Sequence, residues 1–182
     1  MKKISLINLL ILVLALTTLP HCGGGGGGGG PAPVPQPTTA VLTLSTAISG
    51  VLPPNTIITG YEATIALPAG VTVSSTTNAP QTDNGVVVAA GAGAAAGTQI
   101  IGDYTPAAGA APGTVRIVIV NQNGFSAGEF CTVTCNIAAG LNISASEFAQ
   151  PTFVANGLVT SPSPSTVDLT SVMSLTQSAV VK

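Results

Sequence analysis

Apolar and polar residues alternate with a period of two along much of this chain, the signature of half-buried β-strands. Leu42, Leu44 and Ile48 share one face of a run from Ala40 to Ile48. Ile57, Tyr61, Ala63, Ile65 and Leu67 share a face of the next run, Pro68-Ala69-Gly70 turns the chain, and Val71 and Val73 resume it. Val86 to Ala90 and Gln99 to Tyr104 are shorter candidates. Val115, Ile117 and Ile119 alternate with Arg116, Val118 and Val120, so this strand is apolar on both faces except at Arg116, which predicts a central position. A turn-like Asn121-Gln122-Asn123-Gly124 separates it from Phe130 to Ala138. Thr152 to Ala155, Leu158 to Thr160 and a run within Val167 to Val181 complete about nine strands. Beyond the N-terminal segment no stretch has the 3.6-residue period of an amphipathic helix. The pattern predicts an all-β domain of sandwich type. Two stretches rich in Ala and Gly, Ala89 to Gly97 and Thr105 to Gly113, read as loops, with a short helical turn as the alternative.

The N-terminus follows a different pattern. Lys2 and Lys3 precede an apolar run from Ile4 to Leu16, and Cys22 is followed by eight glycines. A cationic start and a short apolar run are the marks of an export signal. The run is shorter than the roughly 20 residues that a membrane span needs. Residues 1–21 resemble a lipoprotein signal, which implies lipidation of Cys22. Leu19-Pro20-His21 stands where small residues are usual in that family, and ordinary cleavage or an uncleaved anchor are the alternatives. By the same resemblance, Gly23 after the cysteine points to the outer membrane of a two-membrane bacterium, and to the cell envelope in any case. Residues 22–37 form the lipidated cysteine and a tether. The glycine run is a coil of about 15 Å root-mean-square length, and Pro31 to Pro37 favours polyproline II, adding about 20 Å.

Residues 38–182 are enough for one domain with its own core. Charge is sparse there: Arg116 and Lys182 against Glu62, Asp83, Asp103, Glu129, Glu147 and Asp168, a formal net charge of −4. The absence of a basic patch argues against nucleic acid as a partner.

The order of elements resembles the cohesin-type sandwich, a relative of several carbohydrate-binding modules. The residues that carry the resemblance are Ile58 to Ile65, Leu67-Pro68-Ala69-Gly70-Val71, Val115 to Val120, and Gly124 to Val133. In that family a strand ends in a proline-x-glycine-valine turn, and a glycine opens a late core strand. The resemblance implies a nine-stranded jelly-roll over residues 38–182 that binds another protein, a dockerin in the best-known cases. The chain has no calcium loop of its own, so it would be the receptor half.

The residues do not point to catalysis. Acid–base and nucleophilic chemistry needs groups that titrate or attack near neutral pH. The chain's one histidine, His21, lies in the predicted signal, and the six isolated acids, which could in principle include a glycosidase pair, read as solvated surface carboxylates. No EF-hand and no phosphate loop is present in the sequence. The expectation is a protein that is not an enzyme and takes no cofactor or metal.

Cys131 and Cys135 lie on one face with Val133 and Ile137. Residues four apart on a strand are separated by about 13 Å, whereas a disulfide needs Cα atoms within about 7 Å. They read as core thiols, with a disulfide through a turn or bulge and a metal or redox site as alternatives. Sugar-binding modules stack sugars on exposed aromatics, and this chain has no Trp. Tyr61 falls on a core-like face, leaving Tyr104 as the one candidate platform. Phe125, Phe130, Phe148 and Phe153 are expected to fill the sandwich. The leading reading is therefore a surface lipoprotein that attaches to a surface or secreted protein. A polysaccharide-binding module and a structural envelope or matrix protein are the alternatives.

Overall fold

The computed structural model describes residues 35–76 and 80–182. The predicted signal, Cys22 and the glycine run lie outside the described residues, as does the lipidation expected at Cys22. The described residues form ten strands: β1 (Thr39–Ile48), β2 (Thr56–Ala66), β3 (Val71–Thr72), β4 (Val87–Ala89), β5 (Gln99–Thr105), β6 (Thr114–Phe125), β7 (Glu129–Ile137), β8 (Thr152–Val159), β9 (Ser165–Asp168) and β10 (Met173–Val181). Three short 3₁₀ turns complete the elements, at Gly91–Ala94, Ala145–Glu147 and Thr170–Val172. Among the described residues no helix is long and apolar enough to cross a membrane.

The strands form two antiparallel sheets. The first runs β10-β1-β7-β3, with β4 also paired to β7, and the second runs β5-β6-β2-β8-β9. Inward side chains of both sheets belong to one apolar cluster, including Leu42, Leu44 and Val133 from the first and Tyr61, Ile65, Ile117 and Ile119 from the second. The fold is thus all-β and compatible with a β-sandwich. Among the described residues every buried apolar side chain lies between Ala40 and Met173, so residues 35–182, one compact unit, carry a core of their own.

Two irregularities shift the faces from those expected. In β2 the pairing with both β6 and β8 slips between Ile58 and Gly60. The extra residue, Thr59, is a bulge, and a bulge reverses the phase of the alternation. Ile58 therefore turns inward with Tyr61, and the expected Ile57 is only half-buried. On the other side of the slip, Asn121 to Gly124 do not reverse the chain as their composition suggests. They bow out of β6, which continues to Phe125 opposite Ile58. In β1, Thr46 is buried, while Ile48 keeps the expected face but is 47% exposed beyond the core.

The predicted Pro68-Ala69-Gly70 turn is present. Val71 N–H donates to Pro68 O at 3.0 Å, and Gly70 has φ of 78°, a conformation that favours glycine. A Cβ there would also collide with the Leu141 side chain. The two segments expected as separate strands around residues 152 and 158 are one strand, β8, and the run at 167–181 divides into β9 and β10. The Ala/Gly stretch at 89–97 contains the 3₁₀ turn Gly91–Ala94, the anticipated alternative to a loop.

Candidate functional site

Several candidate chemistries can be placed on this frame. Cys131 and Cys135 are free thiols, both buried on the inward face of β7. Burial pushes each thiol up from 9.0 to about 12, with Glu129 adding to the effect at Cys131. They are held protonated in an apolar wall. Thiolates are the reactive form, so a native sample at pH 8 is expected to show neither thiol to a thiol reagent, and an unfolded, unreduced sample to show both. Folding retains protons that the unfolded chain releases above pH 9.0, so stability falls as pH rises from 9 towards 12. A denaturant midpoint unchanged between pH 7 and pH 11 would contradict this placement.

The structure corrects the candidate sugar platform. Tyr104 is 7% exposed, on the inward face of β5 opposite Val115. Tyr61, Phe125, Phe130 and Phe148 are also buried, and Phe153 is half-buried. Tyr61 sits among Phe125, Phe130 and Phe153 with ring centroids 5.5, 5.0 and 5.8 Å away. All six aromatic rings thus serve packing. Among the described residues no group of three or more His, Cys, Asp or Glu side chains could hold a metal. His21 lies outside the described residues.

What does assemble is an open face. The inward residues of the second sheet are Tyr61, Ala63, Ile65, Val115, Ile117 and Ile119, so the alternate residues point away from the core. Ile101, Val118, Glu62 and Val154 lie in one row across β5, β6, β2 and β8. Asp103, Arg116, Thr64 and Thr152 form the adjacent row. Ile101 is 50%, Val120 43% and Val154 42% exposed. These aliphatic side chains flank a charge cluster: Arg116 Nε donates to Glu62 Oε1 at 2.7 Å, and Arg116 Nη1 lies 3.7 Å from Asp103 Oδ2. The hydrogen bond and the charge of Glu62 hold the Arg116 guanidinium above its ordinary value. Three of the module's eight charged side chains meet here. Exposed ion pairs of this kind contribute little to folding, so the cluster's main effect is to set the polarity of the face.

Beside the cluster the bulges open a shallow hollow of about 540 Å³ lined by Thr59, Val120, Asn121, Gln122, Leu158 and Thr166. The buried Asn121 fixes its floor. Its Nδ2 donates to Ala96 O at 3.1 Å and to Thr98 Oγ1 at 3.0 Å, and its Oδ1 accepts from Asn123 N–H at 2.8 Å. One amide thereby ties the bowed segment of β6 to the loop that precedes β5.

The sequence reading passed over this face. The apolar residues on both faces, Val118 and Val120 among them, predict a central strand. β6 is indeed flanked by β5 and β2, yet its outward valines remain uncovered. The available signal was the same doubly apolar pattern combined with Arg116, a charge that would be costly beneath a second layer. Comparison with protein-family models, with curated proteins and with solved structures found no match to this chain.

Proposed function

We propose that this chain is a non-catalytic attachment module of the cell envelope. Residues 38–182 are read as a cohesin-like jelly-roll whose outer face on the second sheet docks a surface or secreted protein. The observation that carries this reading is the coincidence on one face of exposed Ile101, Val120 and Val154 with the Arg116–Glu62–Asp103 cluster. Apolar contacts supply affinity in such interfaces, while fixed charges select partner and register. The buried aromatics argue against a sugar-stacking surface.

The module is read as hung from the outer membrane by a lipid on Cys22, at the end of a flexible tether. Cys22→Ala is expected to move the protein out of the membrane fraction or to leave its precursor uncleaved. Acylation that persists in this variant would overturn the anchor.

The attachment reading is tested by capture. Pro35–Lys182, immobilised, is exposed to surface and secreted fractions of the host, with and without protease treatment of those fractions. A retained ligand that protease destroys is the expected result. Retention of a protease-resistant glycan would replace the reading with polysaccharide binding.

A further inference from the structure

A cleft of about 480 Å³ opens at the end of the sandwich where β2 turns into β3. Residues 67–72 line one side, and residues 106–113, in the hairpin between β5 and β6, line the other. Backbone bonds fix both sides. Leu67 N–H donates to Gly113 O at 2.8 Å, and Ala108 and Ala111 exchange bonds of 3.1 and 3.0 Å. The cleft is therefore built into the backbone, and its size lies in the range of small-ligand sites.

The lining is uncharged and mostly apolar, with Leu67, Pro68, Val71, Pro106 and Pro112 set among alanines and glycines. Its polar side chains are Thr72, exposed at the rim, and Tyr104, buried inside. Among the described residues no hydrogen bond engages the Tyr104 hydroxyl. The other tyrosine differs, since the buried Tyr61 hydroxyl meets Thr46 Oγ1. A buried hydroxyl without a partner is costly, and tyrosines in such places usually find one. Gly113 leaves the ring edge uncrowded, because a Cβ there would stand only 3.4 Å from Tyr104 Cε2. The free phenol thus marks the place of an acceptor that the chain itself does not supply.

We propose that this cleft binds a monomeric, uncharged acyl ester, its alkyl chain along the apolar walls and its carbonyl accepting from the Tyr104 hydroxyl. The lining decides each part of that chemistry. It holds no cation to meet a carboxylate or a phosphate, and the module's net charge of −4 repels anions. One side-chain donor inside suits a ligand with one acceptor. A peptide would bring N–H groups as well, and inside the cleft no side chain other than Tyr104 could accept them. An ester brings none. Walls formed by two stretches of chain suit a linear alkyl group.

The test titrates isotope-labelled Pro35–Lys182 with methyl octanoate and follows the amide resonances. Saturable shifts are expected at Gly70, Tyr104 and Gly113, and none at Val120 on the outer face or Ser178 on the other sheet. Sodium octanoate has the same chain with a charged end, and is expected to bind at least tenfold more weakly. Tyr104→Phe removes a hydroxyl that has no partner in the free module, so its melting temperature should be unchanged or raised. Its affinity for the ester should fall about fivefold, the worth of one neutral hydrogen bond. Ala110→Asp places a charge on an exposed part of the wall, and is expected to abolish the saturable shifts while the module stays folded. The proposal is overturned by the absence of saturable shifts, by equal affinity for ester and carboxylate, or by unchanged ester affinity in either variant. It is also overturned if a blocked Ala-Pro repeat peptide shifts these amides where the ester does not.

Discussion

Tyr61→Ala is expected to destabilise the module by about 3–5 kcal/mol, the range for truncating a large buried ring. Tyr61 is 1% exposed and stands where β2 faces β7, with three phenylalanine rings around it. Few other aromatics exist in the chain to refill the space. Domains of this size are stable by only about 5–15 kcal/mol, so the variant should unfold at far lower denaturant. Tyr61→Phe separates the ring from its hydroxyl. The phenol shares a 3.2 Å hydrogen bond with Thr46 Oγ1, which also lies 3.3 Å from Gly128 O. Thr46 keeps that second partner, so the phenylalanine variant should lose about 1 kcal/mol. Equal losses in the two variants would mean that the hydroxyl, and not the ring, anchors this core.

Gly93→Ala is expected to lose more than about 3 kcal/mol, at the upper end of the cost of overpacking. The Ala/Gly-rich turn looks like a permissive loop in the sequence, yet Gly93 is buried against β7. A Cβ at this position would overlap the carbonyl oxygen of Phe130 and approach its Cα and carbonyl carbon to 2.7 Å. That carbonyl already accepts from Ala90 N–H at 3.0 Å, and backbone in a paired strand cannot move aside as a side-chain tip can. Gly109→Asn makes the contrast. Gly109 has φ of 58° with nothing within 4 Å of its would-be Cβ, and asparagine tolerates this conformation. Its expected cost is under about 1 kcal/mol. Chemical denaturation of both variants checks the pair, and similar midpoints would contradict the packing described for the turn.

Strands were legible wherever alternation ran unbroken. β1, the later part of β2, β6 and β7 lie where Leu42, Ala63, Ile117 and Val133 placed them, because a period of two is a local property of the chain. Phase was not legible across a bulge. Ile57 and Ile58 are equally apolar, and only the unpaired Thr59 decides which one enters the core. Asn121-Gly124 has turn composition, but its conformation is set by Asn121 bonding a distant loop. Tyr104 reads as a candidate platform at the end of a short strand until pairing with Val115 turns it inward. The outer face was hidden for the same reason: Ile101, Glu62, Arg116 and Val154 come from four strands. Their adjacency is a product of strand order, which no local window contains.

The central claim is that this face holds a protein partner, and Val120→Asp tests it most directly. Val120 is exposed at the edge of the hollow, so the substitution should leave stability within about 0.5 kcal/mol. Retention of the protease-sensitive ligand by immobilised Pro35–Lys182 is predicted to fall at least tenfold with Val120→Asp and to be unaffected by Ser178→Asp on the other sheet. Equal retention by the original module and the folded Val120→Asp variant would contradict the account.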